Sequence, residues 1–171
     1  MFFQDWRVCD TSIVPFDLDK EYLYYFQAKA WGFKGIIGGT HSWMAFWSPE
    51  RNEWLVIEIT DAETVHVQQG EIVYTTVAGW TEQGPVISNR DPRQQWFGGK
   101  PLFIAKQKNY CTLAGFKQLV DNYPIKKFAL LFRNCNTLTS YIIAALDLKF
   151  TRPFRSVGHR SRIWWRKHYG I

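Results

Sequence analysis

Residues 133–137, Arg-Asn-Cys-Asn-Thr, stand directly ahead of an apolar run in which Leu138, Tyr141, Ile142, Ala145 and Leu146 are spaced along one helical face. A thiol in the first turn of a helix lies beside unpaired backbone N–H groups and the positive end of the macrodipole, which favours thiolate over thiol. Cys135 is therefore a candidate nucleophile. Asn134 is a good N-cap residue, and the N–H groups beside it can hold the oxyanion of an acyl-transfer intermediate. The plainer alternative is a helix capped by Asn134 or Asn136 around a small buried thiol.

Thiol catalysis also needs a histidine within hydrogen-bond reach and a third group that orients its ring. Of four histidines, His159 and His168 sit in a basic C-terminal stretch, and His66 alternates with apolar neighbours in a solvent-facing pattern. His41 differs, because it follows a glycine-rich loop and opens the run Trp43, Met44, Ala45, Phe46 that belongs in the middle of a sheet. If residues 41–47 and 54–60 pair around the turn Ser-Pro-Glu-Arg-Asn-Glu, His41 falls opposite about Thr60 and Trp43 opposite about Glu58. His41 and Glu58 then share a face. Glu58 is the one carboxylate in "LVIEIT" and calls for a partner, and a one-residue slip would put the two on opposite faces. Asp61 is the fallback. Trp43, on the same face as His41, is a candidate substrate contact.

These residues need a frame. "EYLYYFQAKA" (21–30) reads as a strand, and the four glycines within 31–40 mark a sharply bending loop. "TVHVQ" and "EIVYTTV" around Gln69-Gly70 form a second hairpin candidate. Residues 79–101, with three prolines, read as a long irregular loop of the kind that shapes function. "TLAGFKQLVDNYP" (112–124) predicts a helix with Leu113, Phe116, Leu119 and Val120 on one face, a Thr112 cap and a stop at Pro124.

The chain of 171 residues is about one domain long, with 46% hydrophobic and 21% charged residues and 30 aromatics, which argues against wholesale disorder. The net charge of +6 is concentrated. Six of the 21 Lys and Arg residues, and none of the 15 Asp and Glu, lie in residues 151–171. The organisation expected is one domain over 1–150 plus a basic, aromatic extension over 151–171. Arg160, Arg162, Arg166 and Lys167 among Trp164, Trp165 and Tyr169 can hold an anionic surface, whether nucleic acid, membrane or wall polymer. The alternative is that the aromatics dock the extension on the core while the cationic heads stay in water.

Three cysteines, Cys9, Cys111 and Cys135, without a C-x-x-C word signal neither a disulfide framework nor a zinc knuckle. No metal and no cofactor is expected: histidine and cysteine spacing is wrong for ligation, and phosphate-loop and dinucleotide glycine patterns are missing. The start has no signal-peptide pattern and no run has the ~18 apolar residues of a membrane span. The expectation is a cytoplasmic protein with reduced thiols.

A histidine on a central strand, an acidic residue on the next strand and a late cysteine at a helix N-terminus resemble the circularly permuted NlpC-type branch of papain-like proteins, which includes the lecithin:retinol acyltransferase relatives. The likeness covers roughly residues 21–147. The words "AKAWGFKG", "HSWMAF", "WFGGKP", "NYP" and "RNCNTLT", in that order, look closer still to an uncharacterised bacterial domain-of-unknown-function family. The resemblance implies an α+β papain-like fold, an antiparallel sheet packed against helices, with Cys135 as nucleophile, His41 as general base and Glu58 as orienting member. It implies a cysteine hydrolase or acyltransferase that cleaves an amide or ester of a peptide, wall peptide or lipid through a thioester. In that bacterial family serine often stands at the cysteine position, which keeps open a second reading: a non-catalytic binding module whose basic aromatic extension engages nucleic acid, an anionic membrane or a partner protein.

Overall fold

The aromatic and β-branched runs of the first half become the centre of a sheet, as their buried alternation requires. The computed structural model describes residues 7–8, 18–29, 39–59, 63–68, 71–76, 85–89, 92, 102–125, 134–150, 153 and 156–171. In chain order its strands are β1 (Arg7–Val8), β2 (Tyr22–Lys29), β3 (Thr40–Ser48), β4 (Glu53–Glu58), β5 (Glu63–Gln68), β6 (Glu71–Thr76), β7 (Val86–Ser88) and β8 (Phe103–Lys108). Its helices are α1 (Leu113–Asp121), α2 (Cys135–Ala145) and α3 (Arg162–Tyr169). The fold is α+β.

The main sheet is antiparallel in the order β8-β2-β3-β4-β7, extended at the β8 edge by the two residues of β1. β5 and β6 pair separately as the hairpin expected there. The β3–β4 hairpin forms around the expected turn, with Met44 opposite Ile57 and Ala45 opposite Val56. Asn52 takes the left-handed conformation (φ 53°) at that turn, and the Ser48 hydroxyl donates to Glu50 at 2.9 Å. Two strands depart from the sequence reading. β7 lies inside the stretch read as a loop, and β8 becomes the neighbour of β2 across about eighty residues. The rest of 79–101, apart from 85–89 and Pro92, lies outside the described residues, as do the glycine loop at 31–38, Asp61, Cys9, Arg133, Arg152 and Arg155.

Alternation along the strands sends side chains to two faces. On one, Tyr25, Met44, Phe46, Leu55 and Ile57 pack against Leu113 and Phe116 of α1, Leu138 and Ile142 of α2 and Trp165 of α3. On the other, Tyr24, Phe26, Trp43, Ala45 and Val56 form an aromatic cluster. Each fully buried side chain of this size contributes about 1.5–3 kcal/mol, so the helix-facing core is what presses α2 onto β3.

α1 begins at the expected Thr112 cap, whose hydroxyl accepts from the Gly115 amide, and ends ahead of Pro124. α3 begins at Ser161, which accepts from the Trp164 amide at 3.2 Å, and ends at Gly170 in the left-handed conformation. Trp165 is fully buried in the main core while Arg166 and Lys167 are exposed. The aromatic residues of α3 thus anchor it, and these two cations remain at the surface. Among the described residues, no helix is long and apolar enough to cross a membrane.

Candidate active site

The site starts from where β4 stops. Among the described residues, the paired register between β3 and β4 runs no further than Met44 opposite Ile57. The N-terminus of α2 lies against this end of β3. The Ser42 amide donates to Cys135 Sγ at 3.4 Å, and the thiol faces the Thr40 carbonyl at 3.8 Å.

α2 is held there by a capping box. Asn134 Oδ1 accepts from the Asn136 and Thr137 amides at 3.0 and 3.3 Å, and Thr137 Oγ1 accepts from the Asn134 amide at 3.1 Å. Cys135 is accordingly the first residue inside the helix, where the macrodipole acts on it most strongly.

His41 points to the aromatic face of β3 at the same end of the strand. Its Nε2 lies 3.1 Å from Glu58 Oε2, the pair expected from the hairpin register. The Cys135 side chain is the ring's other electrostatic and hydrogen-bonding partner. Trp43 stacks on the imidazole at 5.5 Å and on Phe26 at 5.4 Å, and its indole N–H donates to the Pro92 carbonyl. Fully buried, Trp43 braces the histidine ring. Glu58 is 1% and His41 22% exposed, so the carboxylate lies beneath and the ring at the edge of solvent.

The electrostatics follow from this placement. Burial disfavours a charged thiolate, but the neighbouring His41 charge and hydrogen bond, followed by the Ser42 and Asn136 amides, outweigh it and hold Cys135 below the ordinary thiol range. Burial likewise works against a protonated His41, and the Cys135 and Glu58 side chains outweigh it in turn, holding the imidazole above its usual value. An imidazolium–thiolate pair is the favoured protonation state over the interval between the two.

Behind the thiol lies a layer of buried polar groups that the sequence reading did not pick out. Ser42 Oγ meets Thr139 Oγ1 at 3.1 Å, Gln27 Nε2 donates to Thr40 Oγ1 at 2.8 Å and Ser156 Oγ at 3.3 Å, and the Tyr25 hydroxyl lies among Ser42, Ser156 and Thr139. The signal was present in α2 itself. Asn136, Thr137, Thr139 and Ser140 occupy the first turns of a helix in which all of them are buried, and buried polar residues require partners.

Of the remaining sequence candidates, Asn134 is committed to the cap and, through Nδ2, to the Val157 carbonyl at 3.0 Å. Arg160 lies over the Trp164 ring, Arg162 pairs with Asp147, and Arg166 and Lys167 face solvent. His159 lies against Phe150 and His168 against Trp164. His66 is on β5, with its side chain outside the described residues. Among the described residues, no group of three or more His, Cys, Asp or Glu side chains is arranged to hold a metal ion. No protein-family model, no curated protein and no solved structure matches this chain.

Proposed function

We propose that the protein is a cysteine hydrolase or acyltransferase of permuted papain-like architecture, acting on an amide or ester carbonyl through a thioester at Cys135. The observation that carries this reading is the single imidazole of His41, shared between the buried Glu58 carboxylate and a thiol at the first position of α2. A helix cap alone needs neither histidine nor carboxylate.

In this reading Cys135 Sγ attacks the carbonyl carbon and the π electrons move to oxygen, with the positive end of α2 beside the developing charge. As the tetrahedral species collapses, His41 gives its proton to the leaving amine or alkoxide and a thioester remains. Water, or the hydroxyl or amine of an acceptor, then adds to the thioester carbonyl and loses its proton to His41. The acyl product departs and the thiolate returns with the imidazolium. Glu58 holds Nε2–H throughout and favours the charged ring. Substrates of this class include a peptide, a wall peptide and a lipid ester. A reducing compartment such as the cytoplasm suits the free thiols of Cys111 and Cys135.

An electrophilic probe directed at activated thiols tests the proposal. Wild type and Cys111→Ser should be labelled, and Cys135→Ala should not. Equal labelling of wild type and Cys135→Ala would falsify the reading. It would turn attention to a binding role for the exposed cations and Ile163 of α3, recognised by salt-sensitive binding that survives Cys135→Ala.

A further inference from the structure

We propose that Asn136 is a positioning residue for the Cys135 thiolate, and that through it the Val157–Gly158 turn of the C-terminal segment is part of the site. The inference rests on the thiol reading above and adds a component to it.

Asn136 is 1% exposed, and its Nδ2 donates to two carbonyls, Thr40 at 3.3 Å and Val157 at 3.0 Å. Two acceptors at this end fix the carboxamide's orientation, and its Oδ1 is left buried with no hydrogen-bond partner among the described residues. An unsatisfied buried acceptor is unfavourable, so the donor end must offset it.

The Thr40 carbonyl explains what the donor does. The same oxygen faces the Cys135 thiol at 3.8 Å. While sulfur is protonated, S–H can donate to that oxygen. Once the proton has moved to His41, the carbonyl loses that donor and its lone pairs face a negative sulfur. Asn136 Nδ2–H stays on the Thr40 oxygen and draws off part of its negative potential, so the thiolate form loses less than it otherwise would. Without the carboxamide, the protonated thiol keeps its acceptor and the thiolate gains a repulsive neighbour.

The other half of the bridge is the turn. The Val157 carbonyl accepts from Asn134 as well as Asn136, and the Gly158 carbonyl accepts from Thr137 at 2.9 Å. Three of the first residues around the helix start therefore bond to two consecutive carbonyls of the C-terminal segment. Gly158 has φ +89°, and a Cβ there would lie 2.6–3.0 Å from the Asn134 carboxamide atoms. Glycine alone permits both the conformation and the approach. The groups facing the thiol from elsewhere are His41 of β3, with Glu58 of β4 behind it, Tyr25 of β2 and Tyr123 after α1; burial holds both tyrosines neutral.

The test is the pH midpoint of Cys135 alkylation by iodoacetamide, followed by peptide mass spectrometry on the full chain. Asn136→Leu keeps the shape and should raise the midpoint by about one unit, a tenfold smaller thiolate fraction on the acid side. Gly158→Ala, which displaces the turn without touching Asn136, should move it the same way by less. Trp165→Phe, which removes a core indole donor to Ser140, should lower the unfolding temperature and leave the midpoint in place. A low wild-type midpoint unchanged in both Asn136→Leu and Gly158→Ala would overturn this inference alone, as would an equal shift in Trp165→Phe. An ordinary wild-type midpoint would overturn it together with the thiol reading.

Discussion

Two capped helix N-termini in this molecule each carry a cysteine. At α1, Cys111 precedes the Thr112 cap, so it lies outside the helix; its Sγ contacts the Thr112 carbonyl, and burial pushes its thiol above the ordinary range. At α2, Cys135 follows the Asn134 cap, receives the Ser42 amide and meets His41, and its thiol moves the other way. Proximity to a cap does not activate sulfur. What separates the sites is two steps along the chain, from the residue before the cap to the residue after it, together with an amide and an imidazole supplied from β3.

The difference between the two thiols depends most on the imidazole. His41→Ala should lower turnover by 10²–10⁴-fold, as loss of an acid–base group does, and raise the Cys135 alkylation midpoint toward the ~8.5 of a free thiol, while Cys111 keeps its midpoint. The sign follows from the pair: a protonated His41 stabilises the thiolate, so its removal favours the neutral thiol and shifts the alkylation profile to higher pH. Glu58→Gln should act in the same direction with a smaller shift, since a neutral amide still orients Nε2–H without stabilising the imidazolium; matched pH–alkylation profiles measure it.

Thr112→Ala and Asn134→Ala should each cost about 1 kcal/mol in denaturant unfolding. Only Asn134→Ala should also move the thiol at its helix, because that carboxamide positions the Asn136 amide and bonds Val157. The smallest effect belongs to Cys111→Ser, a partly exposed site: stability within about 0.5 kcal/mol and an unchanged Cys135 profile.

What could be read in the sequence was local. The turn at Ser48–Glu53 fixed the β3–β4 register and with it the His41–Glu58 pair, since a hairpin transmits its turn directly to facing side chains. Thr112 and Asn134 marked their helices because a cap acts within three residues. That the C-terminal aromatics dock on the core was one of the two readings of that stretch, but the partners of Trp165, the pairing of β8 with β2 and of β7 with β4, and the bridge from Asn136 to Thr40 and Val157 were not legible in the same way. They join segments separated by 21 to well over a hundred positions, and no local propensity encodes which carbonyl a side-chain amide will meet. Those long-range contacts decide whether the cysteine beside Asn134 is only a neighbour of a cap or the partner of a base.

The most direct measurement compares the two cysteines in one sample: alkylation of Cys135 and Cys111 across pH, quantified by peptide mass spectrometry, in wild type and His41→Ala. Midpoints rather than absolute rates are read, because Cys135 is only 6% exposed. Cys135 should show a midpoint below that of Cys111 in wild type, with most of the gap lost in His41→Ala. Coincident midpoints in wild type, or a gap indifferent to His41, would contradict the Cys135–His41 pair.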